Sequence, residues 1–512
     1  MKIPILLEVC LPILGGVILS FFIEGLLKNG VHPFWKRDFS VIFIHLGVWL
    51  ALFSSLLLMS QRPWFSMFFL LTFMFFLVQV SNAKFRVLKE PLIVQDFDFL
   101  FDALKHPRLF LPFLGLVRAS TIILFYTISI CTGVTLENSL TDKLQTYVFV
   151  ALVSILLFVS LILLLAGSIM KNPLQFNPER DLQQLGLIAS MWRYAQEEST
   201  TPHLEFSSIY EHPKLYSFPA TLPNLVVVQS ESFFDARRLF YGIEREVLKE
   251  FEILKSLSVC QGRLQVPTVG ANTVRTEFSF LSGLNNESLG IHRFNPYRKI
   301  AQKSIPTLVS YLKKIGYKTV CVHPYDASFY NRNKVFPLLG FGEFIDISSF
   351  MESKKEGPYI SDITLAEKVC ALLDDSSNQP IFIFVISMEN HGPLQLEKIS
   401  QSDAKEFYSH FPPDGCKNLT IYLRHLRNAD RMLGMLREKL STLSSVSWLC
   451  WYGDHLPMMP RVYEIFNVLD KRTDYLIWNS RRDSGHGTEH NTQVDNLGYL
   501  LLQKMNLLKS YL

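Results

Sequence analysis

A chain of 512 residues is too long for one ordinary domain, and 49% hydrophobic content with 41 Phe is unusual for a soluble enzyme. A formal net charge of only +4 gives no sign of a nucleic-acid partner. Seven cysteines, an odd number without a tight C-x-x-C pair, argue against both a disulfide framework and a Cys-rich zinc site.

The apolar excess lies before residue 170, which predicts a transmembrane region at 1–170, a connector at 171–215 and a water-soluble domain at 216–512. Five stretches reach the roughly 20 helical residues that a bilayer needs: 3–27, 40–59, 64–83, 111–134 and 147–170. The first lacks a signal-peptide cleavage pattern and reads as a retained span. Glu8, Glu24 and Arg118 lie within or at the ends of spans, where snorkelling to the interface is the expected account. An odd number of spans places the N-terminus and the soluble domain on opposite sides. Lys28, Lys36, Arg37, Lys84, Arg86, Lys89, Lys105 and Arg108 fall on one face, against Lys2, Arg62 and Lys143 on the other. By that count alone the soluble domain lies in the cytoplasm.

The connector is polar and irregular, with a helix expected at 183–196. Beyond it, short β-like runs alternate with amphipathic stretches. The expected strands are 224–230, 318–324, 380–387, 446–453 and 473–479, and the expected helices include 304–316, 361–375 and 418–440. This alternation predicts an α/β fold with a mostly parallel sheet covered by helices. Ligand sites in such sheets form beyond the carboxyl ends of the strands.

Four strand ends in this chain carry metal- or phosphate-competent side chains: Glu231, His323, His391, and the pair Asp454–His455 in "WLCWYGDHLPMMP". Gly-Asp is also ordinary turn chemistry, and a lone His at a strand end is more often a satisfied polar group. Their joint occurrence at one edge is the signal. Carboxylate oxygen with imidazole nitrogen suits Mn2+, Mg2+ or Zn2+. Between the first two strands, "RLQVPTVGANTVRTEFSFLSGL" offers three candidate nucleophiles, Thr268, Thr273 and Thr276. A hydroxyl at a helix N-terminus near a divalent cation is activated, and a plain Ser/Thr N-cap accounts for the same residue types. "SGHGTEHN" places His486 and His490 four residues apart, a spacing that serves a second metal on a helix or a mobile Gly-rich loop.

With these residues assembled, the chain resembles the lipoteichoic acid synthase and phosphoglycerol transferase family of the alkaline phosphatase/sulfatase-like superfamily. The resemblance rests on Glu231 in "QSES", Thr273 in "ANTVRTEF", Asp454–His455 in "YGDH", Asn390–His391, "SFYNRN" and the preceding His323, and "LKEPLIVQDFDF" at 88–99. It implies one divalent metal, Mn2+ first, held by Glu231, Thr273, Asp454 and His455. Thr273 and His391 are then the catalytic residues, and His323, Arg332, Tyr330, Asn331 and Arg275 contact substrate. Val274 and Arg275 depart from the family pattern of a small residue and an Asp. The implied reaction moves phosphoglycerol from phosphatidylglycerol to a glycan or glycolipid acceptor through a phospho-threonine. A phosphoethanolamine transferase is the alternative, and an inactive membrane scaffold or glycan-binding protein is the alternative of another class. No C/S-x-P-x-R sulfatase motif surrounds Thr273. The resemblance also implies a multi-pass protein of the bacterial cytoplasmic membrane with its catalytic domain facing the periplasm or exterior, opposite to the charge count.

Overall fold

A computed structural model describes residues 5–99, 105, 115–170, 172–199, 210, 221–350, 355–375, 379–481 and 487–508. The chain divides into two compact units, Met1–Pro202 and His203–Leu512.

In the first unit, four helices among the described residues are long and apolar enough to cross a membrane: Leu7–Glu24, Phe39–Ser60, Pro63–Leu88 and Thr146–Ile169. The fourth of the five expected spans, 111–134, overlaps the 21-residue helix Leu116–Leu136. Residues 111–114 lie outside the described ones. The connector helix runs from Pro178 to Ser199 and is broken at Gly186. Most of the remaining connector, 200–209 and 211–215, lies outside the described residues.

The break at Gly186 marks a buried ion pair. Arg37 Nη1 donates to Glu24 Oε2 at 2.6 Å, and the Ile188 backbone N–H donates to Glu24 Oε1 at 3.0 Å. A Cβ at position 186 would stand 2.3 Å from Arg37 Nη1, and φ there is +74°, so only glycine fits. Glu24 is therefore not a snorkelling residue: it is fully buried, and protein donors replace the water it gives up. Glu8 does reach a surface partner, Lys143 Nζ at 2.8 Å. Lys84 is enclosed in the same way as Arg37, 2.7 Å from both Glu90 and Asp96. Part of the basic charge that drives the loop count is thus neutralised inside this unit.

The second unit is built on one sheet. In chain order its strands are β1 (Asn224–Ser230), β2 (Cys260–Gln265), β3 (Lys318–Val322), β4 (Glu343–Ile345), β7 (Ile381–Ile386), β8 (Ser447–Gly453), β9 (Thr473–Asn479), β10 (Thr488–Glu489) and β11 (Thr492–Gln493), while β5 (Lys355–Glu356) and β6 (Tyr359–Ile360) form a separate small hairpin. The order is β10-β2-β9-β8-β1-β7-β3-β4, with β11 also on β2. The sheet is mixed: six of its eight strand pairings are parallel and two antiparallel, both made by β9. β8, β1, β7, β3 and β4 run parallel, but β9 is antiparallel to both β8 and β2. The five expected strands are all present. The missed β2, "CQGRLQ", is polar and alternates in burial, so it lacks the continuous apolar run that marked the others.

β1, β7 and β8 are buried along their whole length because their Val, Ile, Phe and Trp side chains meet helices on both faces. One face packs against the helices Lys249–Leu257, Asp362–Asp375 and Lys417–Thr442. The other packs against Thr273–Ser282, Leu308–Lys314 and Val494–Lys504. The Leu308–Lys314 helix starts at a Thr307/Ser310 capping box and not at Ser304 as the sequence suggested.

One close approach governs the edge that carries the candidate site. A Cβ on Gly453 would lie 1.8 Å from the Phe233 carbonyl oxygen. Gly453→Ala is expected to destabilise the protein by about 1–3 kcal/mol or more, since neither strand end has room to retreat. Thermal unfolding of the detergent-solubilised full chain reads this as a lower Tm, and an unchanged Tm would refute the contact.

Candidate active site

β1 and β8 are neighbours in parallel register, with Ser230 opposite Gly453. The residues that follow leave the sheet side by side: Glu231 from β1, Asp454 and His455 from β8. All three are buried, and one ligand atom from each lies within 4.8 Å of the others. His455 Nε2 stands 3.6 Å from Glu231 Oε1 and 3.4 Å from Asp454 Oδ2.

The surrounding bonds aim these atoms. His455 Nδ1–H donates to the Leu456 carbonyl at 3.1 Å, which leaves the Nε2 lone pair facing the carboxylates. Ser232, in a left-handed conformation at φ +57°, donates its N–H to Asp454 Oδ1 at 2.8 Å and its hydroxyl to Glu231 Oε1 at 2.9 Å. Ser387, just beyond β7, accepts the Glu231 N–H at 2.9 Å. Asp454 Oδ2 and His455 Nε2 are nevertheless buried without a hydrogen-bond partner. Burial, followed by the negative charge of Asp454, pushes the Glu231 carboxyl up to about 8. A divalent cation among the three would relieve both the repulsion and the orphaned atoms, and two oxygen donors with one imidazole nitrogen suit it.

The three threonines separate cleanly. Thr268 donates to the Ala271 carbonyl at 2.6 Å and Thr276 to the Asp454 carbonyl at 2.8 Å. Among the described residues the Thr273 hydroxyl has no hydrogen-bond partner. Nor is Thr273 an N-cap: Asn272, in a left-handed conformation, holds that place, and Thr273 is the first residue of its helix. Thr273 and Thr276 share a helix face at three-residue spacing, and Thr276 is bonded to Asp454. The preceding loop is tied to the same segment by the Gly270 N–H on the Leu456 carbonyl at 2.9 Å.

His323, after β3, donates Nδ1–H to the Ile386 carbonyl at 3.0 Å, and its Nε2 faces Arg332 Nη1 at 3.4 Å. Burial first, then Arg332, holds its pKa well below the usual histidine value, so it is neutral. Arg332 is buried, and its Nε and Nη2 grip Glu277 at 3.2 and 2.8 Å. Tyr297 OH donates to the same carboxylate. The Arg332 charge still reaches Glu231, His323 and His391. His391 donates Nδ1–H to the Gly392 carbonyl at 2.8 Å, and burial lowers its pKa as well. Its neighbour Asn390 has a buried amide with neither atom partnered.

The remaining expected site residues are placed as follows. Tyr330 and Asn331 are both left-handed; the Tyr330 ring lies 5.1 Å from the Arg332 guanidinium, and Asn331 is exposed. Arg275 does not face solvent: it is buried, donates to the Phe294 carbonyl at 3.2 Å and sits over the Phe294 ring. His490 is exposed in the turn between β10 and β11, outside the metal cluster, and His486 lies outside the described residues. Three supports went unread in the sequence: Ser232, Glu277 and Ser387. Ser232 and Glu277 lie inside "QSES" and "TEF", but a hydrogen bond to another loop leaves no periodic trace.

A family model described as Sulfatase matches residues 223–507. The capsular polysaccharide biosynthesis protein RkpI of Rhizobium meliloti (strain 1021) is 27% identical over 477 residues, covering 88% of this chain and 84% of that protein. Lipoteichoic acid synthase 1 of Bacillus subtilis (strain 168) is 25% identical over 163 residues, 30% of this chain and 23% of that one. Among solved structures, the Streptococcus pyogenes phosphoglycerol transferase GacH in complex with sn-glycerol-1-phosphate superposes at a TM-score of 0.46 with 23% identity, covering 56% of this chain and 76% of that chain.

A ligand that binds only the folded state stabilises it by mass action. Mn2+ added to the full-length protein is therefore expected to raise Tm, and Asp454→Asn to abolish the rise. An equal rise in the variant would remove Asp454 from the site.

Proposed function

The chain belongs to the sulfatase family, and on that premise we propose a membrane-anchored, metal-dependent transferase that moves phosphoglycerol from phosphatidylglycerol to a cell-envelope glycan. The observation that carries this reading is the partnerless Thr273 hydroxyl at a helix N-terminus, on the helix face bonded to Asp454. The family name does not select sulfate chemistry, because the C/S-x-P-x-R segment is absent around Thr273. The motifs shared with lipoteichoic acid synthases favour phosphoglycerol as the group, and the likeness to a capsular polysaccharide protein favours a glycan acceptor.

Glu231, Thr273, Asp454 and His455 would hold the divalent cation, Mn2+ before Mg2+ or Zn2+, which when bound lowers the pKa of the Thr273 hydroxyl and offsets phosphoryl charge. Thr273 Oγ attacks the phosphodiester phosphorus, the P–O bond to diacylglycerol breaks, and phosphoglycerol remains esterified to Thr273. The free lone pair of neutral His391, on Nε2, takes the Thr273 proton and passes it to the departing oxygen. An acceptor hydroxyl then attacks the ester, giving its proton to His391, and Thr273 recovers a proton as its bond to phosphorus breaks. Arg332, kept in place by Glu277 and His323, contributes positive charge toward the phosphoryl oxygens through the Nη1 side of its fork. Tyr330 and Asn331 are assigned to the substrate side with it, whereas Arg275 is held on Phe294.

The glycan acceptor belongs outside the cell, so the catalytic unit is placed on the periplasmic or exterior side of the bacterial cytoplasmic membrane, carried by multiple spans. A reporter fused to the C-terminus that is active only in the cytoplasm would overturn this orientation.

Thr273→Ala is expected to abolish diacylglycerol release from labelled phosphatidylglycerol, and undiminished release would sink the assignment. Mass spectrometry of the trapped protein should find the adduct on Thr273, with its mass separating phosphoglycerol from phosphoethanolamine. The pH profile follows from His391. Its folded pKa lies below 6.5, so the base form is populated at neutral pH and is lost as pH falls through that depressed value. The acid limb of kcat/KM should accordingly sit below pH 6.5 and disappear in His391→Gln.

A further inference from the structure

The segment that carries Asn390 and His391 is held from behind by a carboxylate that the reaction above does not use. Glu389 is fully buried at the end of β7. Its Oε1 accepts from His425 Nδ1 at 2.8 Å and from Asn428 Nδ2 at 2.7 Å, and its Oε2 accepts the Asp362 backbone N–H at 2.7 Å. His425 reaches on with Nε2 to Glu397 Oε2 at 3.0 Å, and Arg424 Nη2 meets that same oxygen at 2.5 Å. Carboxylate and cation alternate along this row, whereas the carboxylate of Asp362, whose backbone N–H binds Glu389, is buried without a hydrogen-bond partner. With a carboxylate at each ring nitrogen, His425 stays protonated up to about 9 despite the opposing effect of its burial.

The anchor of Glu389 is also the anchor of His391. Asp362 opens the Asp362–Asp375 helix, two residues beyond β6 (Tyr359–Ile360). Tyr359 OH donates to the Gly392 carbonyl at 3.1 Å, the same oxygen that accepts His391 Nδ1–H. The Tyr359 ring stands edge-on to the His391 imidazole, 5.8 Å between centroids. Residues 359–362 therefore grip the 389–392 loop at both ends, Glu389 through Asp362 N–H and His391 through Tyr359.

We propose that Glu389 is a positioning residue for the reaction: by fixing the 389–392 loop to the 359–362 segment and to the Lys417–Thr442 helix, it sets the direction of His391 Nε2. Glu389 does not touch substrate. The inference rests on the reading of His391 as the proton-transferring residue, and a double-mutant cycle separates the two.

Diacylglycerol release from labelled phosphatidylglycerol is measured on the full-length protein as Glu389→Gln, His391→Gln and the double variant. Glutamine places an N–H against the Asp362 N–H or against the His425 and Asn428 donors, so either one anchor breaks or His425 loses its proton and the Asn428 amide turns over, and the row that fixes the loop is altered in each case. Glu389→Gln is expected to lower kcat by about 10- to 100-fold, the cost of a small misplacement of a reacting group. KM should change little, the Mn2+-dependent rise in Tm should persist, and Glu389→Gln should cost nothing further once His391 is Gln. Wild-type kcat in Glu389→Gln, or the same fold-loss with and without His391, would overturn the proposal while leaving the reading of His391 intact. Wild-type turnover in His391→Gln would overturn that reading, and the positioning role with it. Asn428→Ala removes one of the three donors and carries the same cycle should Glu389→Gln not be recovered folded: a smaller kcat loss that vanishes in the His391→Gln background supports the proposal, and an additive loss overturns it.

Discussion

The architecture of the site depends on the in-register, parallel pairing of β1 with β8. Side chains alternate along a strand, so a slip of one residue would exchange Glu231 or Asp454 for a residue of the opposite face. The register is fixed by two fully buried strands whose apolar side chains have no tolerable alternative packing. It is also fixed by Gly453, where the Phe233 carbonyl occupies the space a side chain would need. β7 flanks β1 on its other side and brings Ser387, Glu389, Asn390 and His391 to the same edge, and β3 adds His323. The antiparallel β9 closes the other flank without contributing a ligand.

The second organising feature is how the fold treats buried carboxylates. Glu24 has Arg37, Glu277 has Arg332, and Glu389 has His425, each within hydrogen-bond distance. Each pairing replaces lost hydration with a specific cation, the condition under which a buried charge is tolerated. Asp362, with both carboxylate oxygens buried and unpartnered, departs from the pattern, and so do Glu231 and Asp454. The latter two face one another and an imidazole lone pair, with orphaned atoms where the other pairs have a guanidinium or an imidazolium. Among the described residues, only the Glu231–Asp454–His455 group brings three ligand atoms within 4.8 Å of one another, and that geometry marks the place suited to a cation that the chain does not itself supply.

Only some parts of the structure could be read in advance from the sequence. Strands β1, β7, β8 and β9 were legible because a strand covered on both faces needs an unbroken apolar run. β2 was not, because an antiparallel strand near the sheet edge keeps polar residues on one face. The long apolar helices were legible from length and hydropathy, but the buried Glu24 was not. Hydropathy weighs a carboxylate as exposed until its partner is known, and Arg37 is thirteen residues away in another element. At the site, Glu231, Asp454 and His455 were visible as strand-end residues. Which threonine remained free was not visible, because Thr268, Thr273 and Thr276 differ only in the carbonyls they meet.

The sequence by itself determined the composition of this protein's two halves, the strand ends that bear chemistry, and the residue types that suit a divalent cation. These are local or periodic properties, written in runs of residues a few positions long. The tertiary structure alone decided that Thr273 keeps its hydroxyl free, that Arg275 and Arg332 are committed to Phe294 and Glu277, and that Glu389 backs His391. Each of those outcomes is a hydrogen bond or ion pair between segments distant in the chain, and its existence depends on distances that only the folded backbone sets.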